Sequence, residues 1–256
     1  MIKLNTFALA TLLLMQSCVS KREILYLQDI DYNPVMEVAS NITILQPNDI
    51  LKIEVGTLIP EAALPYNKIS VSNIQTANNL EVMKLEGYLV SQDKTINFPV
   101  LGELSVAGKS TADLEVDIKN RLESGGYLLN PSVTVRLLNA KVTILGEVKQ
   151  PGTFTFTENN ISLLQALGLA GDLTINGNRK DVILIREADG KRSTTHLNLT
   201  QSAWLNGPYQ NIQPNDVLVV SPNGAKVKSA GFFGSASSFV AIASLLISTI
   251  VLINSF

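Results

Sequence analysis

Apolar residues are crowded at both ends of this 256-residue chain, and short strands separated by turns fill the stretch between them. Charged residues make up only 16% of the sequence, below the roughly 25% usual for soluble domains. No charged residue follows Lys228. This distribution favours association of the ends with a membrane and a folded body between them.

The N-terminal end has the features of an export signal. Residues 1–18 read MIKLNTFALATLLLMQSC, a basic start followed by an apolar run too short to span a bilayer. The run ends directly on Cys18, the single cysteine, and no A-x-A-like cleavage site is present. This resembles a bacterial lipoprotein signal, so we expect residues 1–17 to be removed and Cys18 to carry lipid. The alternative is a buried N-terminal helix with a chance cysteine.

The C-terminal end contains a second apolar stretch. Residues 232–253 are long enough, as a helix, to cross a hydrocarbon core of about 30 Å. We expect a transmembrane helix over residues 229–254, whose small residues share one face for helix packing or a lumen. Whether that face lines an exit or only permits close packing of an anchor stays open. The small residues are Gly234, Ser237, Ala241, Ser244 and Ser248.

Composition also excludes several functions. The 20 basic and 22 acidic residues leave no positive excess, so we expect no binding to nucleic acid. One cysteine and one histidine rule out a disulfide framework and a Cys/His zinc cluster within one chain. The composition therefore points away from most metal and covalent catalysis. We expect no catalytic residues, no cofactor and no metal site, and we predict that the protein is not an enzyme.

The body between the ends predicts a β-rich α+β fold. After a linker over residues 18–40, we expect two small sheet-and-helix domains over residues 41–139 and 140–222. Apolar residues at every fourth position predict a helix over residues 111–123, capped by Ser110 or Thr111. A second helix is predicted over residues 161–170, capped by Asn159 or Asn160. The principal strands are expected near residues 50–55, 85–90, 95–101, 132–138, 142–148, 181–186 and 194–199, and the second domain is expected to close with the segment at residues 211–222.

One tetrapeptide occurs twice. The sequence Gln-Pro-Asn-Asp stands at residues 46–49 and again at residues 213–216, and bulky apolar residues flank both copies at matching positions. Proline followed by Asn and Asp is turn chemistry. We expect Asp49 and Asp216 to order a turn before a core strand by hydrogen bonds from side chain to backbone.

Several motifs follow one another in a fixed order through the body. They are the 46–49 motif, INFPVLGELSVAGKSTADLEVDIKNRL, NPSVTVRLL, VTILGEVKQPGTFTF, LLQALGLAGD, Val-Ile-Leu-Ile-Arg and a closing QPNDVLVV. This order resembles the Wza-like family of outer-membrane polysaccharide export lipoproteins, whose polysaccharide-export domain the first half resembles and whose β-grasp-type sugar-associated domain, known as SLBB, the second half resembles. The likeness covers about residues 41–222, with one SLBB domain where the longest members have two.

The resemblance implies a conduit. A homo-oligomeric ring anchored by lipid in the outer membrane, with its body in the periplasm, would export a capsular or exopolysaccharide chain. An inner-membrane polysaccharide co-polymerase would dock beneath it, and the C-terminal helices would form the exit. The alternative is a lipid-anchored periplasmic scaffold that binds glycan without a channel.

Several side chains are weaker candidates for chemistry. His196 is a candidate general base, but a surface or structural histidine is the favoured interpretation because no nucleophile pattern accompanies it. Trp204 and Tyr209 are candidates for stacking on sugars, although packing in the second core is favoured. Glu103 and Glu147 each lie beside a glycine in a turn, so we do not expect a glycosidase pair.

We predict that the mature protein begins at an acylated Cys18. Each buried CH₂ of an acyl chain contributes about 0.8 kcal/mol, so several chains together hold the protein on the membrane. Intact-mass spectrometry of membrane-extracted protein should show residues 1–17 missing and acyl mass on Cys18. Retention of Met1, or an unmodified Cys18, would contradict the prediction.

Overall fold

The computed structural model describes residues 21–32, 42–68 and 80–230, together with six positions near the C-terminus. Within these ranges the chain forms two hydrophobic cores, one on each side of a short connection at residues 138–140. We call the two units the first and the second domain. The expected mixed α+β fold is confirmed. The six C-terminal positions are Val240, Ser244, Leu245, Ser248, Thr249 and Leu252.

The first domain is built around a three-stranded antiparallel sheet with β1 at its centre, between β2 and β5. A β3–β4 hairpin packs beside the sheet. Gly56 at the end of β1 lies opposite Ser132 at the start of β5. The elements are β1 (Ile50–Gly56), β2 (Tyr88–Leu89), β3 (Thr95–Phe98), β4 (Gly102–Ser105), β5 (Ser132–Leu137), α1 (Pro60–Ala63), α2 (Leu80–Glu86) and α3 (Thr111–Ser124).

Helix α3 confirms the prediction made from its four-residue period. Leu114, Ile118 and Leu122 are completely buried in the first core. Ser110 caps the helix by accepting a hydrogen bond from the Asp113 backbone N–H, and the Asp113 carboxylate accepts one from the Ser110 N–H. This reciprocal capping box satisfies two donors that the first helical turn leaves unpaired.

The strand predicted over residues 85–90 is wrong for most of its length. Residues 80–86 form α2, and only Tyr88 and Leu89 pair with β1. The sequence LEVMKLE consists almost entirely of good helix formers, so local propensity favours the helix until Gly87.

The second domain is a five-stranded mixed sheet in the order β10-β9-β12-β6-β7, covered by one helix. The central strand β12 runs parallel to β6 and antiparallel to β9. The elements are β6 (Lys141–Gly146), β7 (Gly152–Thr155), β8 (Ile161–Ser162), α4 (Leu163–Leu169), β9 (Gly177–Ala188), β10 (Lys191–Leu197), β11 (Asn211–Ile212), β12 (Val217–Pro222) and α5 (Gly224–Ser229).

The second predicted helix is present but begins later than expected. Its cap is Ser162, in a capping box with Gln165, rather than Asn159 or Asn160. Ile161 is buried and pairs with Ile212, so the residue before the cap belongs to a short strand. The spacing Ser-x-x-Gln is the local signal that identifies the correct cap.

The membrane-directed segments are largely beyond the described ranges. The predicted signal peptide at residues 1–17 and most of the predicted helix at residues 229–254 lie outside the described residues. Among the residues that are described, none of the helices combines the length and the apolar character needed to cross a bilayer.

We predict that Gly146 is indispensable to the second sheet. Its φ is +91°, and a Cβ there would lie 2.0 Å from the carbonyl oxygen of Val220 on β12. Gly146→Ala should therefore lower the free energy of unfolding by about 3 kcal/mol, measured by urea denaturation.

The matched control is Gly108→Ala. Gly108 also has a positive φ, +69°, but nothing lies within 4 Å of a Cβ built on it. That variant should lose only about 1 kcal/mol, the cost of backbone strain alone. Equal losses in the two variants would show that close approach of β6 and β12 is not the constraint.

Candidate functional site

The two Gln-Pro-Asn-Asp motifs form the same turn in the two domains. In the first turn, the Asp49 carboxylate accepts a hydrogen bond from the Gln46 N–H at 2.8 Å. In the second, Asp216 accepts one from the Gln213 N–H at the same distance. The asparagines have φ values of +70° and +69°. Each turn leads directly into the central strand of its sheet, so the predicted structural role of both aspartates is confirmed.

The aspartate of the second turn is neutralised by an arginine. Arg186 donates to both carboxylate oxygens of Asp216, from Nε at 2.9 Å and from Nη2 at 2.7 Å. Asp216 is 1% exposed. Burial raises its pKa, while the hydrogen bonds from Arg186 and from the Gln213 N–H act in the opposite direction.

The aspartate of the first turn is buried without such a partner. Asp49 is 3% exposed, and within the described part of the chain no basic side chain forms an ion pair with it. Burial raises the pKa of its carboxyl group to about 6, although the Gln46 N–H acts in the opposite direction. The two turns therefore share a backbone conformation, but among the described residues only the carboxyl group of Asp216 has an ion-pair partner.

Both turns line one cleft between the domains, with a volume of about 700 Å³. The first turn contributes Asn48 and Asp49, and the second contributes Gln213 and Asn215. Residues 187–192, at the tip of the β9–β10 hairpin, complete the lining. The expected hairpin tip at Asp189 and Gly190 is confirmed, with both residues at positive φ.

Direct contacts hold the two sides of the cleft together. Lys94 of the first domain forms an ion pair with Asp189 of the second at 2.6 Å. The Asp189 N–H also donates to the side-chain oxygen of Gln46. In the connection, the Asn139 side chain accepts from the Ile50 N–H and donates to the Asn48 carbonyl, each at 2.9 Å. The connecting segment is thus bound to the first turn.

Residues 21–32, which belong to the predicted linker, pack on the second domain and not on the first. Leu27 and Gln28 donate backbone hydrogen bonds to the carbonyls of Leu199 and Thr200. The Asp29 carboxylate accepts from the Ser202 N–H, and Tyr26 donates to Asp172. Residues 21–32 therefore form part of the second domain, although they precede the first in the chain.

The predicted site residues divide between described and undescribed parts of the chain. Cys18, the predicted lipid site, and Gly234, Ser237 and Ala241 of the small face lie outside the described residues. Ser244 and Ser248 are helical positions.

The weaker candidates behave as structural or surface residues. The exposed His196 contacts Asp181 at 2.5 Å on the face of the second sheet. Trp204 is buried in the second core, and Tyr209 packs against that core. Glu103 and Glu147 lie in different domains, and the Glu147 carboxylate accepts from the Thr174 hydroxyl.

Sequence reasoning missed Arg186 and the cleft. The arginine at the end of the apolar run Val-Ile-Leu-Ile-Arg is a local signal, because a charge at the end of a buried strand needs a partner. The repeat of the turn motif is visible in the sequence, but its position in the chain does not reveal that the two copies line one cleft.

Two regions of the chain match known protein families. Residues 37–138 match the polysaccharide biosynthesis/export protein family, and residues 140–220 match the SLBB domain. The chain is 30% identical over 197 residues to the EPS I polysaccharide export outer membrane protein EpsA of Ralstonia nicotianae, covering 75% of this chain and 48% of that protein. The protein of the same name from Ralstonia solanacearum is 31% identical over 131 residues, 50% of this chain and 34% of that protein. The chain thus spans half or less of these relatives.

We predict that Asp49 makes the stability of the protein depend on pH. Its folded pKa of about 6 lies above the ordinary value of 3.8, so the folded state holds this proton more tightly than the unfolded state. Its contribution is present below about pH 4 and is lost as the pH rises to about 6. Relative to Asp49→Asn, wild-type stability should fall by on the order of 2 kcal/mol between pH 4 and pH 7 in chemical denaturation.

Asp216→Asn serves as the matched control. It leaves Arg186 without its carboxylate partner and should cost about 3 kcal/mol at pH 7. It retains Asp49 and so should keep the part of the pH dependence that Asp49 contributes. A wild-type profile that Asp49→Asn leaves unchanged would show that another group is responsible.

Proposed function

Because the chain belongs to the Wza-like family of polysaccharide export proteins, with an export domain followed by an SLBB domain, we propose that it forms an oligomeric conduit for polysaccharide across the outer membrane. In this proposal the protein is a homo-oligomeric ring anchored by lipid on Cys18, with its body in the periplasm. The C-terminal helices of the ring form the exit.

The observation that carries the proposal is that both ends of the folded body leave from one edge of the second domain. Glu23 lies 3.5 Å from Lys180, near the start of β9. Asn223, after the last strand, donates its N–H to the Asn176 carbonyl just before β9. A lipid anchor and a membrane helix on a single protein must reach the same membrane, and this shared edge satisfies that requirement.

The spacing to Cys18 supports the anchor. Cys18 precedes Lys21 by three residues, which span at most about 10 Å of extended chain. Lipid on Cys18 would therefore hold the second domain close to the membrane, with the first domain farther into the periplasm. The C-terminal segment continues from α5 at the same edge.

The opposite end of the protein carries exposed apolar residues suited to a partner. Because Gly56 lies opposite Ser132, residues 57–64, which include α1, and the loop at residues 127–131 lie at the end of the first sheet away from the second domain. We call these two segments the distal tip. Leu58 and Leu129 there are 93% and 89% exposed. Apolar side chains this exposed favour a contact with the inner-membrane polysaccharide co-polymerase.

We predict that deleting residues 232–256 abolishes export but leaves a folded, lipidated body. The reason is that a conduit needs its membrane exit, whereas the body has its own two cores. Surface polysaccharide should be lost, and particles purified in detergent should shrink from rings of many copies to smaller species in electron microscopy. Normal surface polysaccharide from the truncated protein would favour the glycan-binding scaffold without a channel.

The distal tip is tested separately with Leu58→Ser combined with Leu129→Ser. This variant should keep the ring size but reduce co-purification of the co-polymerase about tenfold, as loss of central interface contacts does. Val116→Ser, which changes an exposed residue of α3 outside the tip, is the control. If the tip variant and the control retain the co-polymerase equally, the partner binds elsewhere.

A further inference from the structure

The cleft between the domains is separate from both hydrophobic cores, from the edge proposed to face the membrane and from the distal tip. It is about 700 Å³ in volume, and five of its lining side chains are amides. Ligand sites occur preferentially at domain interfaces, where a few polar groups converge from different elements. The amides are Gln46, Asn48, Gln92, Gln213 and Asn215.

Several of these polar groups retain hydrogen-bonding capacity. In the described part of the chain, the side chains of Gln213 and Asn215 make no hydrogen bond. Each amide offers two donor hydrogens and an acceptor oxygen. The Asp49 carboxyl group lies in the same lining, and among the described residues no basic side chain forms an ion pair with it. The cleft therefore presents donors and acceptors together, the complement of vicinal hydroxyl groups.

Four charged side chains around the cleft form two ion pairs, and the two remaining lining charges, Lys191 and Asp49, are of opposite sign. Arg192 contacts Glu187 at 2.5 Å across the hairpin, and Lys94 contacts Asp189 at 2.6 Å. These pairs reduce the net field, so the lining favours an uncharged ligand over an anionic one. None of the lining residues is aromatic, so a sugar ring would gain no stacking energy there.

We propose that the cleft binds a neutral saccharide segment of the exported polymer. The inference rests on the proposed export function and specifies where the body contacts its substrate. The two repeated turns supply opposite walls, with Asn215 and Gln213 on one and Asn48 and Asp49 on the other. Hydrogen bonding without stacking gives a weak, exchanging site, which suits a polymer that must keep moving.

The test uses the full chain in detergent and oligosaccharides prepared by partial hydrolysis of the exopolysaccharide that the source cell secretes. The hydrolysate is separated into neutral and anionic fractions. Saturation-transfer NMR should show transfer to the neutral fraction and a weaker effect on the anionic one. Gln213→Ala and Asn215→Gly, the second chosen because Asn215 has a φ of +69°, should each weaken binding of the neutral fraction about five- to tenfold, the effect of one lost hydrogen bond.

Gln201→Ala is the matched control, because it removes an exposed amide that does not line the cleft. It should leave binding unchanged. Binding that survives both cleft variants, or stronger binding of the anionic fraction, would overturn the proposal. A cleft that instead receives a neighbouring copy in the ring would show no saturation transfer and a changed particle size in the cleft variants, which also overturns it.

Failure of this site is distinguishable from failure of the export function. Cells carrying wild-type protein that export polymer, while the purified protein shows no saccharide binding, would refute the cleft alone. Normal export after deletion of residues 232–256 would refute the conduit but leave the binding measurement on the full chain unaffected.

Discussion

In each domain, a buried aspartate carboxyl group closes the turn that leads into the central strand, and the register of that strand depends on this turn. A carboxylate removed from water is costly unless hydrogen bonds satisfy it. Asp49 and Asp216 each accept the N–H three residues earlier, and Asp216 also accepts two hydrogen bonds from Arg186, whereas the raised pKa of Asp49 shows that one N–H offsets its burial only in part. The turn cannot slip by one residue without losing that bond, so the register of β1 and β12 is set where each strand begins.

The identical turns have different electrostatic roles because their surroundings differ. Arg186 occupies both oxygens of Asp216 and also donates to the Asn211 carbonyl, so the second turn is fastened within its own domain. Asp49 has only the Gln46 N–H among the described hydrogen bonds and lines the cleft. One copy of the motif thus stabilises a core, and the other keeps an acceptor available at the domain boundary.

Local patterns predicted those parts of the fold that local physics determines. The four-residue period of α3, the turn at Asp189 and Gly190, and the aspartate turns were all predictable from short stretches of sequence. The pairing of Arg186 with Asp216 joins residues 30 positions apart, and the cleft joins residues more than 100 apart. Only tertiary packing decides such neighbours, so the amides of the cleft could be identified individually but not as a site.

Strand β9 runs from the edge where both ends of the folded body leave the second domain to the cleft between the domains. It begins at Gly177, beside the edge where both ends of the body leave, and it finishes at Ala188 in the cleft lining. Its 12 residues span about 35–40 Å at roughly 3.3 Å per residue. If the edge faces the outer membrane, a saccharide in the cleft is held about that far below it, on the periplasmic side of the SLBB domain. The Lys94–Asp189 pair and Asn139 keep the first domain against this point, so the cleft stays at one depth.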